Sequence, residues 1–416
     1  MNDLSGGPTE GKRVALFIRA LKGNGAERSM VNLARALAEC GIAVDLLLAE
    51  ATGEFLSEIP ASVRLIELKR SSAVRALPLL ITRPRDLLGL LLLLIVPHSP
   101  KPIGAIPGLV EYLRTERPTT LLSALDYANV AAIIAAGIAP TGTRAVISQR
   151  NHFSTEMASR QAWRAGYAQS VFHRLYSRAD RIVAVSKSVA DDIAQACDLP
   201  RDQVVTIYNA VAGPVLDAKA TEPLDHPWFA PGAPPVVLGV GKLKPQKDFP
   251  TLLRAFAALR REREARLIIL GEGPDRAELE ALARELGVAS DVAFPGFVAN
   301  PFPYMAHAGL FVLSSTFEGL PGVLIQALAC GCPVISTDCP GGSAEILENG
   351  RYGALTPVGD VGALADAMKA TLDAPLDRDI LRQRGNFFSP ERAVEGYLYV
   401  LLGTKLSHIP SALQTG

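Results

Sequence analysis

Short apolar, β-branched runs alternate with stretches of helical period along almost the whole chain. The runs VALFI (14–18), VDLLL (44–48), TLLSA (120–124), RAVIS (144–148), RIVAVS (181–186) and VVTIY (204–208) read as strands. Helical-period segments cover residues 26–39, 105–116 and 155–177 between them. Residues 212–235 break the alternation with prolines and glycines that follow no period, which reads as a linker. Strand-like runs then resume at 236–241, 266–271, 310–315 and 333–337, and a last helical stretch covers about 391–402.

Such βα alternation implies parallel sheets covered by helices on both faces. The expected architecture is α/β, with two doubly wound, Rossmann-like domains facing across a cleft. Their expected limits are 1–212 and 236–390, joined by a linker at 213–235, with a C-terminal helix and tail at 391–416 packing back on the first domain. Ligands of such sheets bind outside the carboxyl ends of the strands. Loops that directly follow strands are therefore where chemistry is expected.

Composition narrows the function classes. With 49% hydrophobic and 20% charged residues, the chain has enough apolar material for sizeable cores. Lys plus Arg and Asp plus Glu balance at 42 each, so no global charge argues for nucleic acid. The distribution is uneven: residues 1–212 carry 24 basic and 19 acidic side chains, and the excess matches residues 64–101, with seven basic and two acidic. That stretch contains a leucine-rich run, 87–96, of about ten residues, roughly half of what crosses a bilayer. A basic, apolar segment that cannot span suits peripheral contact with an anionic membrane surface. Five cysteines without CxxC spacing read as reduced thiols and argue against a zinc site. The polar N-terminus lacks a signal-peptide core, and a cytoplasmic location is expected, with the inner face of the cell membrane as the place of any peripheral contact.

Four loops carry the candidate chemistry. GNGAER (23–28) lies between a strand and a helix, where glycines admit a ligand to the backbone and the helix start favours an anion. It differs from a dinucleotide fingerprint because Arg28 stands where a third glycine belongs. GKLKPQKDF (241–249) places Lys242, Lys244 and Lys247 ahead of a helix, an unfavourable position for cations unless an anion sits among them. EGLPGVLIQALACG (318–331) sets Glu318 before a helix starting near Pro321, with Gly331 as the residue just past its end. Gly322, Gln326 and Ala329 share one face of that helix. PGGSAEIL (340–347) is a further glycine turn after a strand. Taken one at a time, each has a bland reading as a turn, a solvated loop or a satisfied core amide.

In this order and at these distances the four loops resemble the retaining glycosyltransferases of family 4, which have the GT-B fold. The resemblance runs from about residue 13 to 400 and is strongest over 236–360. Its best marker is the pair of positions 318 and 326 within EGLPGVLIQALACGCPVIST, where the family has Glu at both and this chain has Glu318 and Gln326. The resemblance implies donor contacts from Gly25, Lys242, Lys247, Phe297, Val298, Glu318, Gly322, Val323 and Gln326. Lys242 and Lys247 would hold a diphosphate, Glu318 the hydroxyls of the transferred sugar, position 326 the ribose, and the backbone near Phe297 and Val298 the base. Family members usually have Arg at position 242, and Lys keeps the charge without the planar fork. Glu318, Lys242, Lys247 and His152 are the implied catalytic residues, with Arg150, Asn151 and His152 on the acceptor side.

The implied reaction moves a sugar from a nucleotide-diphosphate sugar, UDP-linked by expectation, to a glycan or lipid-linked acceptor, with retention at the anomeric carbon. Polysaccharide or glycoconjugate biosynthesis is the expected setting, with no metal and no cofactor. The other readings are a GT-B nucleotide-sugar epimerase, a catalytically weak homologue acting as a binding or scaffold subunit, and, last, a dehydrogenase.

Overall fold

The computed structural model describes residues 12–23, 25–69, 102–158 and 170–403. The chain forms two compact units, Met1–Ala210 with Pro390–Gly416, and Val211–Ser389.

The first unit is built on seven parallel strands: β1 (Arg13–Ile18), β2 (Ala43–Leu48), β3 (Val63–Glu67), β4 (Thr120–Ala124), β5 (Arg144–Gln149), β6 (Arg181–Ala184) and β7 (Val204–Thr206). Their order is β3-β2-β1-β4-β5-β6-β7, so the winding reverses between β1 and β4. Leu16 pairs in register with Leu46 on one side and Leu122 on the other. The helix Gly25–Glu39 forms because Met30, Val31, Ala34 and Leu37 recur on one face and are buried there. It ends at Gly41, whose φ of 79° is a left-handed conformation that glycine adopts without strain. The C-terminal helix Pro390–Leu402 belongs to this unit, and its Tyr397, Val400 and Leu401 join Val14, Leu16, Met30 and Leu122 in one core.

A buried carboxylate sits within this sheet. Asp45, 2% exposed, lies beside Arg64 in the β2–β3 register and receives its guanidinium at 2.6 Å, with Tyr112 Oη also donating at 2.6 Å. Burial alone would raise the Asp45 pKa; hydrogen bonds from Arg64 and Tyr112 and the charge of Arg13 outweigh it and hold the carboxyl below its ordinary value. Arg64 also pairs with Glu116 at 2.9 Å, so this first cation of the basic stretch 64–101 is committed inside the unit. Residues 70–101, including the leucine-rich run, lie outside the described residues. No described helix is long and apolar enough to cross a membrane.

The second unit has six parallel strands: β8 (Val236–Val240), β9 (Arg266–Leu270), β10 (Val292–Gly296), β11 (Leu310–Leu313), β12 (Val334–Thr337) and β13 (Ala354–Thr356). Their order, β10-β9-β8-β11-β12-β13, reverses between β8 and β11. Leu252, Phe256 and Leu259 of the helix Phe249–Glu262 pack with Leu267, Ile269, Val312, Ile335, Leu364 and Met368.

Three strands went unread in the sequence, β3, β10 and β13, and all three are at sheet edges. An edge strand needs less apolar surface, and β3 and β13 bury one residue each. β10 contains Pro295, which an edge tolerates. Residues 213–235 are also more ordered than a linker reading implies. They form the helix Pro214–Ala220 and a turn at Pro227–Phe229, and His226 and Phe229 pack against Tyr304 at 6.1 and 5.9 Å between ring centroids. Of the helix read over 155–177, Phe153–Ala158 and residues 170–176 are helical, and 159–169 lie outside the described residues.

Candidate functional site

In the second unit, the loops that follow β8, β11 and β12 are joined at the carboxyl end of the sheet. Ser314 Oγ donates to the Lys247 carbonyl at 2.8 Å, Thr316 N to the Gln246 carbonyl at 2.9 Å, and Gln246 Nε2 to the Phe317 carbonyl at 2.8 Å. Glu318 N in turn donates to the Pro340 carbonyl at 2.9 Å, and Gly342 N to the Gly319 carbonyl at 2.8 Å. Gly341 makes this approach possible. Its φ is 131°, and a Cβ there would stand 2.4 Å from the Glu318 carbonyl oxygen. Three glycine-bearing motifs read separately in the sequence therefore form one structure.

At its centre Lys247 Nζ lies 2.6 Å from Glu318 Oε1. Ser315, fully buried, donates its hydroxyl to the same oxygen, also at 2.6 Å. Glu318 is itself 7% exposed. Taking a carboxylate out of water is costly unless it is paired and hydrogen-bonded. Both partners act on Oε1, and Oε2 has no hydrogen-bond partner among the described residues. The arrangement fixes the carboxylate and leaves one acceptor oxygen for something else. Lys247 keeps two of its three donors in the same way, since Glu318 is its side chain's partner among the described residues.

The remaining second-unit candidates lie on the loops after β8 and β10 and on the helix after Pro321. Lys242 is exposed on the loop after β8. The helix Gly322–Ala329 begins directly after Pro321, and the amides of Gly322 and Val323 have no intrahelical acceptor by position. That helix ends as read, with Gly331 at φ 74°. Gln326 is half-buried on it, with no side-chain hydrogen bond among the described residues. Phe297, 63% exposed, and half-buried Val298 follow β10. Cys339, buried beside the pair, went unremarked as a neighbour in the sequence. Its thiol is pushed up to about 11 by burial and then by the Glu318 charge, so it stays protonated at neutral pH.

The first-unit candidates have other partners. Gly25 opens the helix Gly25–Glu39, exposed, with no atom within 4 Å of where a Cβ would stand. Arg28, the residue in the place of a third fingerprint glycine, pairs with Glu58 and lies 3.8 Å over the Phe55 ring. Glu50 stands two residues past the end of β2, where a dinucleotide-binding fold would place an acid for the ribose, and lies 3.5 Å from Arg19. Arg150 is 6% exposed and donates to Asn209 Oδ1 at 2.5 Å and Ser29 Oγ at 3.0 Å, with Tyr397 Oη at 3.4 Å. Its guanidinium ties β5, the first helix, the end of the β7 connection and the C-terminal helix together. An acceptor-side contact needs an accessible head group, and this one is enclosed. Asn151 Nδ2 donates to Glu156 at 3.0 Å. His152 Nδ1 stands 3.0 Å from Thr155 Oγ1 and 3.5 Å from Asp192, leaving Nε2 with no protein partner among the described residues.

Among the described residues no group of three or more His, Cys, Asp or Glu side chains is placed to hold a metal ion.

Comparison with known proteins bears on the family and the fold. The family model "Glycosyltransferase Family 4" matches residues 23–212, and "Glycosyl transferases group 1" matches 234–374. The chain is 34% identical over 199 residues to the N-acetylgalactosamine-N,N'-diacetylbacillosaminyl-diphospho-undecaprenol 4-alpha-N-acetylgalactosaminyltransferase of Campylobacter jejuni, covering 48% of this chain and 52% of that one. It is 33% identical over 176 residues to the lipopolysaccharide core biosynthesis glycosyltransferase LpsE of Rhizobium meliloti, 41% of this chain and 51% of that one. The chain thus spans about half the length of the curated relatives it matches. Among solved structures, Anabaena HepE in complex with UDP superposes with a TM-score of 0.70 at 20% identity, covering 94% of this chain and 100% of that one. The two parallel sheets and these likenesses define a GT-B protein. The chain belongs to glycosyltransferase family 4.

Proposed function

We propose that the protein is a retaining glycosyltransferase that moves a sugar from a nucleotide-diphosphate sugar, UDP-linked, to a glycan or lipid-linked acceptor in polysaccharide or lipopolysaccharide assembly. The observation that carries this reading is the Lys247–Glu318 pair, fixed through one carboxylate oxygen with the other unengaged. A sugar hydroxyl donating to Oε2 would satisfy an acceptor that the protein leaves open. The donor's diphosphate would take the spare Lys247 donors and the amides of Gly322 and Val323, with Lys242 as a second cation. These charges stabilise what develops on the leaving phosphate as the anomeric C–O bond breaks. The acceptor oxygen forms its bond to the anomeric carbon on the same face, and its proton passes to a departing phosphate oxygen. Gln326 would meet the ribose with an amide where a carboxylate gives a stronger, charge-assisted contact. The UDP complex of the Anabaena relative supports the choice of base, and the names of the Campylobacter and Rhizobium relatives support the acceptor class.

In this reading the lysines and helix amides carry the leaving-group charge without a metal, so a chelator leaves turnover unchanged. His152 and Asn151 belong to the acceptor side, and membrane contact through residues 64–101 would bring a lipid-linked acceptor within reach. Thermal-shift profiling with UDP, GDP and ADP, each alone and as a nucleotide sugar, tests the assignment. Stabilisation by UDP, with a further increment from one UDP-sugar, is expected. No shift with any nucleotide overturns it, and acceptor-free interconversion of the sugar replaces transfer with epimerisation.

A further inference from the structure

We infer that Ser315 is a positioning residue for the sugar-binding carboxylate, acting solely through Glu318; this rests on the donor-site reading above. Ser315 ends the segment that leaves β11, and no part of it is exposed, so its hydroxyl cannot reach a ligand. Its donor goes to Glu318 Oε1 at 2.6 Å. The residue is held through its backbone as well, because Thr337 Oγ1, at the end of β12, donates to its carbonyl at 2.5 Å. Ser314, next to it, holds the Lys247 carbonyl at 2.8 Å. The two serines thus fix both ends of the ion pair, one by the lysine backbone and one by the carboxylate.

The geometry explains why an ion pair alone would not suffice. Lys247 reaches Glu318 through a flexible four-carbon stem and loses some of that contact when a diphosphate draws on the same ammonium. A carboxylate held by the lysine alone would then be free to rotate, and either oxygen could face the sugar. The Ser315 hydroxyl sits on rigid strand-end backbone and keeps its hold on Oε1 whatever Lys247 does. Oε2 consequently stays the oxygen presented to the sugar in both the empty and the loaded site. A fixed acceptor with its orientation settled in advance strengthens in the transition state at no reorganisation cost.

Calorimetry and donor turnover on the full chain test this, using UDP and UDP-N-acetylglucosamine as probes beside whichever UDP-sugar the thermal panel selects. Ser315→Ala is expected to leave UDP affinity within about twofold. It should weaken the added affinity of the UDP-sugar, and lower kcat, by about tenfold, the scale of a hydrogen bond to a charged group. Ser315→Thr, which keeps the hydroxyl, should recover most of the kcat and serves as the folded reference if the alanine variant is unstable. In the Ser315→Ala/Glu318→Ala pair the serine change should add nothing to the loss from Glu318→Ala, the signature of a residue acting through another. A Ser315→Ala protein with normal sugar increment and kcat, or additive losses in the double variant, overturns the inference while the donor site stands. Normal sugar binding in Glu318→Ala overturns the donor-site reading itself.

Discussion

The strand-end loops of the two units solve the burial of charge in opposite ways. In the second unit Lys247 and Glu318 neutralise each other at 2.6 Å, and the pair keeps unused hydrogen-bonding capacity on both members. In the first unit Arg150 is enclosed with neutral partners, Asn209, Ser29 and Tyr397, and no carboxylate among the described residues pairs with it. The one Arg150 donor without a partner, Nε, is sealed inside the protein, so that charge is structural; the spare oxygen of Glu318 is not among the sealed, unpartnered atoms, and a charge held in place with reachable capacity is arranged for a ligand. Two polar residues of similar burial, 6% for Arg150 and 7% for Glu318, thus serve different ends.

The largest way to break this contrast is to remove the second-unit carboxylate. Glu318→Ala is expected to lower transfer by about 10²–10³-fold, the scale of one preorganised electrostatic contact, with the fold retained as read by circular dichroism. Arg150→Ala should do the reverse. It should cost about 2–3 kcal/mol of stability in denaturant unfolding, by taking one hydrogen bond each from Asn209 and Ser29, which then keep only their bond to each other, and by leaving a cavity behind, while the protein that remains folded keeps its donor affinity. If Arg150→Ala instead lost donor or acceptor binding at unchanged stability, the division between the two units would fail.

Smaller changes sharpen the contrast. Gln326→Glu, on the half-buried helix face, should tighten UDP binding by about threefold to tenfold, since an ionised acceptor makes the stronger hydrogen bond to a hydroxyl. The smallest expected effect comes from the buried thiols. Burial, and then Asp192, pushes Cys197 up to about 12 in the first unit; burial, and then Glu318, pushes Cys339 up to about 11 in the second. A thiol with a raised folded pKa binds its proton more tightly in the native state, so it contributes stability below the unfolded value of about 8.5. That contribution is lost as pH climbs from there toward the folded values. Unfolding midpoints measured from pH 8 to 10.5 should therefore fall, and Cys339→Ala should flatten the dependence.

Most of the fold was legible in the sequence because parallel strands buried on both faces write themselves as apolar runs. Nine of the ten strands that were read are interior to their sheets and follow that rule; the edge strand β7, with one buried residue, was legible from its β-branched run VVTIY, whereas β3, β10 and β13 sit at edges where the burial that creates the signal is weak. The candidate site was legible as loop positions and through its resemblance to a family. What pairs with what was not. Nothing in the spacing of 247 and 318 says that one lysine of three meets the carboxylate, because the loops after β8 and β11 leave strands that are neighbours only in space, and a three-residue spacing does not say that Ser315 turns its hydroxyl to the same oxygen. Arg150 shows the same limit from the other side. Its place after β5 pointed to a ligand, and only the packed structure reveals Tyr397, nearly 250 residues on, among its partners.

The most direct test is the affinity of UDP and of its preferred UDP-sugar for Lys247→Ala and Glu318→Gln, measured by calorimetry against the unaltered protein. Lys247→Ala should weaken both ligands by about tenfold or more, because both carry the diphosphate. Glu318→Gln should leave UDP affinity nearly unchanged and remove the extra affinity that the sugar supplies. Equal losses for both ligands in both variants, or no loss in either, would contradict a site in which the lysine holds the phosphates and the carboxylate holds the sugar.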